Sequence, residues 1–488
     1  MTTVQPSSTD TLAPAQPTPN RAQLQSQVVQ ALGQVLPAHA ILFTPEDTTP
    51  YECDGLTAYR ERPLVVTLPE TSAQVQAVLQ TCHRLNVPVV ARGAGTGLSG
   101  GAMPHKLGVT LSMAKFNQIL RLDPISRTAV VQCGVRNLAI SEAAAKHGLY
   151  YAPDPSSQIA CTIGGNIGMN SGGAHCLKYG VTTNNLLGVT LVTMQGEVLQ
   201  IGGPYLDAGG LDLLGVICGS EGQLGVVTEA WLRILPKPEG ARPVLMGFAS
   251  NEVAGACVSD IIKGGLLPVA IEFMDRPCIE ATEAFAHAGY PDCEALLIVE
   301  VEGSPAEIDD QLARIKTIAA RHDPVAYRES RSEDEAKRIW LGRKSAFGAM
   351  GQMGDYICLD GTIPVSELSH VLRRIGELSD SYGLRVANVF HAGDGNMHPL
   401  IIFNANKPGD LELAEALGAD ILRLCVEVGG CLTGEHGVGV EKRDLMHVQF
   451  TPDDMEAQLR VKDVFDPAWL LNPAKVFPLD VTASRRAA

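Results

Sequence analysis

Two histidines, His391 and His398, bracket the segment Gly393-Asp394-Gly395-Asn396. Imidazoles that approach each other can do acid–base or metal chemistry near neutral pH, so their placement is the first question. The flanks "RVANVF" and "PLIIF" read as strands. Two glycines with Asp and Asn between strands are tight-turn residues that tolerate positive φ. A four-residue loop then pairs Ala392 with Met397 and His391 with His398, with both rings on one sheet face and their Cβ atoms about 5 Å apart. Such a pair serves equally as packing or as two metal ligands. Further along, "CLTGEHGVGVEK" sets Glu435 and His436 between glycines, on a constrained loop that brings backbone close to a ligand. His391, His398 and Glu435 together make a two-histidine, one-carboxylate set with open positions. That set suits a divalent metal that also binds substrate, and it does not choose among zinc, iron and manganese. Asp394 and Asn396 are accounted for as turn formers.

Glycine is concentrated elsewhere too. "RGAGTGLSGG" (92–101) and "GGNIGMNSGG" (164–173) each hold five glycines in ten residues. Loops of this composition let backbone N–H groups converge on an anion such as a pyrophosphate. "GTGLSG" matches G-x-G-x-x-G, but "GAMP" and a strand follow it where a dinucleotide fingerprint opens a helix. The phosphate loop therefore connects strand to strand, which points away from a Rossmann site.

These groups need rigid elements to hold them. A tail rich in Ser, Thr and Pro over 1–20 reads as disordered. An α+β domain is expected over 21–238, opened by the amphipathic helix "RAQLQSQVVQALGQVL". It continues with "PLVVTLP", a helix capped by Ser72, further strands, and a hairpin at Gln195-Gly196. A second α+β domain is expected over 239–470, with strands such as "VAIEFM" and "EALLIVEVEG" alternating with long helices. The Pro-punctuated segment 471–488 is expected to return to the first domain. With 488 residues, 45% of them hydrophobic, the chain can build two real cores. Net charge is −16, and no basic block interleaves with aromatics, which argues against nucleic acid and anionic lipid as direct partners. No apolar run approaches the roughly 20 residues of a membrane span. The tail lacks the basic and apolar regions of a signal peptide. The twelve cysteines form no C-x-x-C, so no iron–sulfur cluster is expected on this chain, and a reduced, cytoplasmic compartment fits.

At the level of whole segments, "PVVARGAGTGLSGGA", "PDPSSQIACTIGGNIGMNSGGAHCLKYG" and "GSEGQLGVVTEA" resemble the FAD-contacting segments of the vanillyl-alcohol-oxidase/p-cresol-methylhydroxylase flavoproteins. "FHAGDGNMHP" and "TGEHGVG" resemble the C-terminal signatures of the D-2-hydroxy-acid dehydrogenase branch of that family. The likeness runs from about residue 50 to 478 and is greatest to the flavoprotein subunits that oxidise glycolate. It implies a two-domain α+β architecture, a PCMH-type FAD-binding domain followed by a substrate-binding cap domain. It implies FAD cradled by Gly93, Ala94, Gly95, Thr96 and Gly97. Ser156, Gly164, Gly165, Asn170, Gly173, Glu221 and Val227 would line the rest, and Asn472 would reach the cofactor from the C-terminal end. Covalent attachment has one nearby candidate, His175, but the hydroxy-acid branch implies non-covalent FAD.

The resemblance also assigns roles. His391, His398 and Glu435 match metal ligands, His436 matches the base that takes the substrate's hydroxyl proton, and Arg343 matches the arginine that binds its carboxylate. Hydride would pass from the α-carbon to flavin, with the metal lowering the hydroxyl pKa. Relatives specific for 2-hydroxyglutarate place a lysine and an asparagine where this chain has Cys358 and Leu400. A second carboxylate would then be buried unpaired, so a short monocarboxylate, glycolate or D-lactate, is expected. Implied partners are a second FAD-domain subunit and an iron–sulfur subunit that pass electrons to quinone and attach the chain peripherally to the inner membrane. Two alternatives remain open at this point: a stand-alone D-lactate dehydrogenase, and a non-catalytic flavin-binding relay subunit. The relay subunit could dispense with Arg343, His391, His398, Glu435 and His436, all of which are present.

Overall fold

The computed structural model describes residues 20–205 and 209–483. The disorder expected over 1–20 therefore lies, Asn20 apart, outside the described residues. Asn20 caps the helix Arg21–Leu32 by accepting from Ala22 N at 3.1 Å. The helix Ser72–Arg84 is capped by Thr71, not by Ser72: the Thr71 hydroxyl accepts from Gln74 N at 3.2 Å. This helix packs on a four-stranded sheet in the order Ile41–Leu42, Val65–Thr67, Val109–Ser112, Val89–Arg92, whose last three strands are parallel. The first glycine-rich segment joins Val89–Arg92 to Val109–Ser112 with no helix between them. The segment after the final long helix comes back to this sheet, with Leu471 bridged to Val89.

A five-stranded antiparallel sheet follows, in the order Ile119–Asp123, Thr128–Gln132, Val226–Arg233, Leu186–Val192, Val198–Gly202. The second glycine-rich segment differs from the expected loop. Ile163–Met169 is a short helix stopped by Asn170 in the left-handed region, φ 53°. Its glycines are there for contact rather than looseness, since a Cβ on Gly164 would sit 2.9 Å from Cys133 Cβ.

The C-terminal half is built on a seven-stranded antiparallel sheet. Its order is Ala326–Glu329, Gly240–Phe248, Ala295–Gly303, Ala270–Asp275, Val386–His391, Pro399–Phe403, Asp355–Cys358. Alternation divides its side chains between two cores. Val244, Phe273, Val299, Phe390 and Ile401 face the helices Asn251–Lys263, Pro305–Ala319, Leu368–Tyr382 and Asp410–Glu427. Leu245, Met274, Ile298, Val389 and Leu400 face Arg276–Ala286 and Glu333–Met350. By the same parity His391 and His398 belong to the second face.

The histidine hairpin keeps the expected face but not the expected register. Val386 pairs with Ile401 and Asn388 with Pro399, so His391 opposes Asn396, its N–H donating to Asn396 O at 3.2 Å. The pairing has slipped by two residues, which leaves facing unchanged because the side-chain period is two. Neighbouring segments claim the hairpin tip. Gly393 N donates to Ile271 O, Met397 N to Gly361 O, and Ile363 N to Gly395 O. A stacked pair, Phe273 on Phe390 with centroids 4.7 Å apart, holds the adjoining strand in register. Gly395 has φ +77°, and a Cβ there would lie 2.1 Å from Ile363 O. Gly395→Ala should therefore destabilise the cap domain by about 2–4 kcal/mol, seen as an apparent melting midpoint several degrees lower. An unchanged midpoint would show that the tip can relax.

Candidate active site

A single cavity of about 460 Å³ runs from the glycine-rich segments to the histidines, within the size range of small-molecule sites. Gly93, Ala94, Gly95, Thr96, Gly97, Ser156, Gly164, Gly165, Glu221 and Val227 line one part of it. His391, His398, Glu435 and His436 line another, with Lys344, Phe347 and Tyr356. The glycine segments press together: a Cβ on Gly93 would meet Thr162 Oγ1 at 2.3 Å. Thr162 Oγ1 itself is buried at the cavity wall without a partner. Closely apposed backbone amides and an unpartnered hydroxyl are what a phosphate-bearing cofactor such as FAD would fill, so these residues fit that group.

Three residues expected to touch the cofactor stand behind the wall. Asn170 stops its helix in the left-handed region, and its side chain accepts from Thr183 N at 2.9 Å. Gly173 packs on Asp154, where a Cβ would meet a carbonyl oxygen at 2.4 Å. Asn472 is buried and donates to the carbonyls of Gly101 and Glu221, at 3.1 and 2.6 Å, so it holds two cavity-lining segments from behind. His175 does not line the cavity either. Its ring lies 3.0 Å from Asp154 Oδ2 and 3.4 Å from Glu300 Oε2.

At the other end, the Nε2 atoms of His391 and His398 converge on Glu435 Oε1, at 3.6 and 3.1 Å. Each Nδ1 is already engaged, that of His391 with Glu272 Oε1 at 2.8 Å and that of His398 with Leu359 O at 3.0 Å. With both Nδ1–H groups donated, two imidazole lone pairs face one carboxylate oxygen, and protons or a cation must lie between them. Among the described residues the donor atoms close enough to one another to hold a metal ion are those of Cys358, His398 and His436, and those of Asp360, His398, Glu435 and His436, a set of donors that suits a divalent metal; His391 stands at its edge, reaching it through Glu435. Burial opposes charge on His391, but Glu272 and Glu435 outweigh it and raise its pKa well above the usual imidazole value. Burial is likewise outweighed at His398, by Cys358 and Glu435, which bring it to about 10. Glu435 is held well below the carboxylate range, the two histidines overcoming its burial. His436 goes the other way: burial pushes it down to about 4. Its ring stacks on His398, 5.0 Å between centroids, and its Nδ1 has no partner. The result is a neutral imidazole that lines the cavity, its Nδ1 buried and unpartnered.

Asp360, not anticipated from the sequence, places Glu435 and His436. Its carboxylate accepts the backbone N–H of Gly434, Glu435 and His436 at 2.9–3.2 Å and also the Thr433 hydroxyl. So many donors occupy its oxygens that it is a loop anchor rather than a ligand. From the other domain, Glu221 accepts from Val438 N and Gly439 N at 2.6 and 2.8 Å. Arg343 departs from its expected place. It is buried, does not line the cavity, and its Nε and Nη2 both lie 2.7 Å from Glu272 Oε2. Its neighbour Lys344 lines the cavity instead and is left without an ion pair among the described residues. Cys358 and Leu400 are buried behind the cavity wall, where Tyr356 is the lining residue of that strand.

Comparison with known proteins gives two family matches. Residues 237–476 match the C-terminal domain of FAD linked oxidases, and residues 63–202 match an FAD binding domain. The glycolate oxidase subunit GlcD of Escherichia coli K12 is 54% identical over 455 residues, 93% of this chain and 91% of that protein. A D-lactate dehydrogenase of Archaeoglobus fulgidus is 32% identical, covering 89% of this chain and 96% of that one. The fold matches that of p-cresol methylhydroxylase, with a TM-score of 0.79 at 17% identity, over 94% and 98% of the two chains.

The charge balance of the metal-free site has a sign. His398 is raised from 6.5 to about 10, so its contribution to stability is complete below pH 6.5 and is lost as pH rises toward 10. EDTA-treated protein should melt at progressively lower temperature over that interval, and Glu435→Ala should flatten the profile. A slope unaffected by Glu435→Ala would remove this charge arrangement.

Proposed function

The chain belongs to the FAD-linked oxidases, and on that premise we propose that it is the catalytic flavoprotein subunit of a glycolate dehydrogenase, oxidising glycolate to glyoxylate. It is an FAD-dependent oxidoreductase. The observation that carries the substrate reading is the continuity of one cavity from the glycine-rich cradle to Glu435, His436 and the histidine pair. Gly93, Ala94, Gly95, Thr96, Gly97, Ser156, Gly164, Gly165 and Val227 hold FAD. Attachment is non-covalent, because His175 is committed to Asp154 and Glu300. His391 and His398, through Nε2, and Glu435 hold one divalent metal. When bound, FAD supplies a two-electron acceptor and the metal a Lewis acid for the substrate's oxygens.

The chain's own residues do the rest. Glycolate loses its hydroxyl proton and its α-hydrogen with the bonding electron pair, and the imidazole of His436, neutral and lining the cavity, takes the proton. Lys344 faces the substrate carboxylate in place of Arg343, whose guanidinium is spent on Glu272. Phe347 and Tyr356 wall the cavity and exclude water. Electrons leave through a second FAD-domain subunit and an iron–sulfur subunit toward quinone, a reading in keeping with the GlcD relatives' name as subunits. Association with the membrane is then peripheral and made by those partners. Among the described residues no helix is long and apolar enough to cross a membrane. A second reading, D-lactate oxidation in the same cavity, is favoured by the D-lactate dehydrogenase relatives.

An anaerobic titration of the flavin spectrum with glycolate, D-lactate, L-lactate and D-2-hydroxyglutarate tests this. Bleaching by glycolate, lost on chelation and restored by metal, is expected. Bleaching by D-lactate alone would favour the second reading, and none by any acid would overturn both. His436→Ala should retain FAD yet slow its reduction by roughly 10²- to 10⁴-fold; a rate near wild type would remove the base. Lys344→Met should raise KM for glycolate about 10- to 100-fold with a smaller effect on kcat. An unchanged KM would take the carboxylate elsewhere.

A further inference from the structure

Glu272 lies in the apolar strand Ala270–Asp275, between Ile271 and Phe273, and is 0% exposed. Burying a carboxylate is expensive, and pairing it repays that cost only when geometry and hydrogen bonding are good. Its two oxygens are used separately. Oε2 takes the Arg343 guanidinium, and Oε1 takes Nδ1 of His391, the residue directly opposite it across the sheet. A buried Arg–Glu pair that served stability alone would have no need of the histidine. Here the third member turns a ring whose other nitrogen faces Glu435.

We infer that Glu272, with Arg343 as its counter-ion, is the positioning residue for His391, fixing the Nδ1–H tautomer so that Nε2 presents a lone pair to the metal position. The inference rests on the proposal of a cation held by His391, His398 and Glu435. Glu272 touches neither cavity nor substrate and acts through the ring it orients. Arg343 supplies the counter-charge, with its Nε and Nη2 both 2.7 Å from Glu272 Oε2. The arrangement also explains why an arginine adjoining a cavity-lining lysine turns its guanidinium away from the cavity. The helix Glu333–Met350 carries both, Lys344 toward the substrate and Arg343 toward the sheet.

The test separates orientation from stability. A buried ion pair replaced by apolar groups of similar volume can leave stability intact, so the full chain with FAD bound is prepared as Glu272→Leu/Arg343→Met. Zinc affinity is read by competition with a chromogenic chelator, and unfolding is followed on metal-free samples. The double variant is expected to keep FAD and its melting midpoint while binding zinc about 10- to 100-fold more weakly. Glu272→Gln, which retains an acceptor for Nδ1–H, should fall between it and wild type. Wild-type zinc affinity in the double variant, or in Glu272→Gln should the double variant not fold, would overturn the inference. A wild-type chain that binds no zinc, or a His391→Ala chain that binds it undiminished, would instead sink the metal reading and this inference with it.

Discussion

Asp360 is the point on which the site turns. One carboxylate, fully buried at the end of the strand Asp355–Cys358, collects the amides of Gly434, Glu435 and His436 and the Thr433 hydroxyl. Those amides cannot all be satisfied unless the loop wraps the anion, and that wrapping aims Glu435 at the histidines and His436 at the cavity. Charge-assisted bonds to a desolvated carboxylate are among the stronger ones available to a backbone. The sequence around the loop makes the wrap sterically possible. A Cβ on Gly434 would collide with Asn396 at 2.6 Å, and Gly437 takes φ +83°.

The site gathers several buried charges, and each is answered locally. His436 is the exception that matters for chemistry. Placed between a protonatable His398 and the anchored Asp360, it is kept neutral by burial even though Asp360 pulls it upward. Its lone pair is therefore free near neutral pH, whereas the Nδ1–H of His391 is already given to Glu272. Two histidines on one sheet face and a third on a loop thus differ in protonation, because the anions beside each differ in distance and number.

Some of this was legible in the sequence, and the reasons are physical. The glycine cradle announces itself because close backbone approach demands glycine several times within one short stretch. The shared face of His391 and His398 was legible because strand periodicity is two, and a slip of two in register does not disturb it. The register itself was not, since Ile271, Gly361 and Ile363, distant in sequence, take the hairpin's hydrogen bonds. Asp360 and Glu272 went unread because a single acid carries no spacing signature. Their signal was of another kind, one charged residue inside the apolar runs "YICLDG" and "VAIEFM", which folded chains tolerate only when the charge is paired. Arg343 and Lys344 were both in view, but helical phase could not say which faced the cavity until the sheet beneath the helix was placed. Asn472 was visible in "LLNPAK", but its work is done through carbonyls one layer behind the cavity wall.

The fold alone does not select this chemistry. A protein at 17% identity superposes with a TM-score of 0.79, a likeness that shows architecture and leaves the reaction open. What is particular to this chain lies where the two domains meet. The cradle comes from the parallel sheet and the short helix Ile163–Met169, the histidines from the far face of the seven-stranded sheet. The loop between them is clamped from both sides, by Asp360 of the second domain and by Glu221 and Ser99 of the first. Ser99 Oγ donates to His436 O at 2.9 Å, and a Cβ on Gly439 would lie 2.0 Å from Ser99 O. A shift of one domain on the other would strain the backbone hydrogen bonds of the loop that carries Glu435 and His436. The distance between the glycine-rich cradle and His436 is therefore set by the interdomain fit, and the loop that carries His436 is the gauge of that fit.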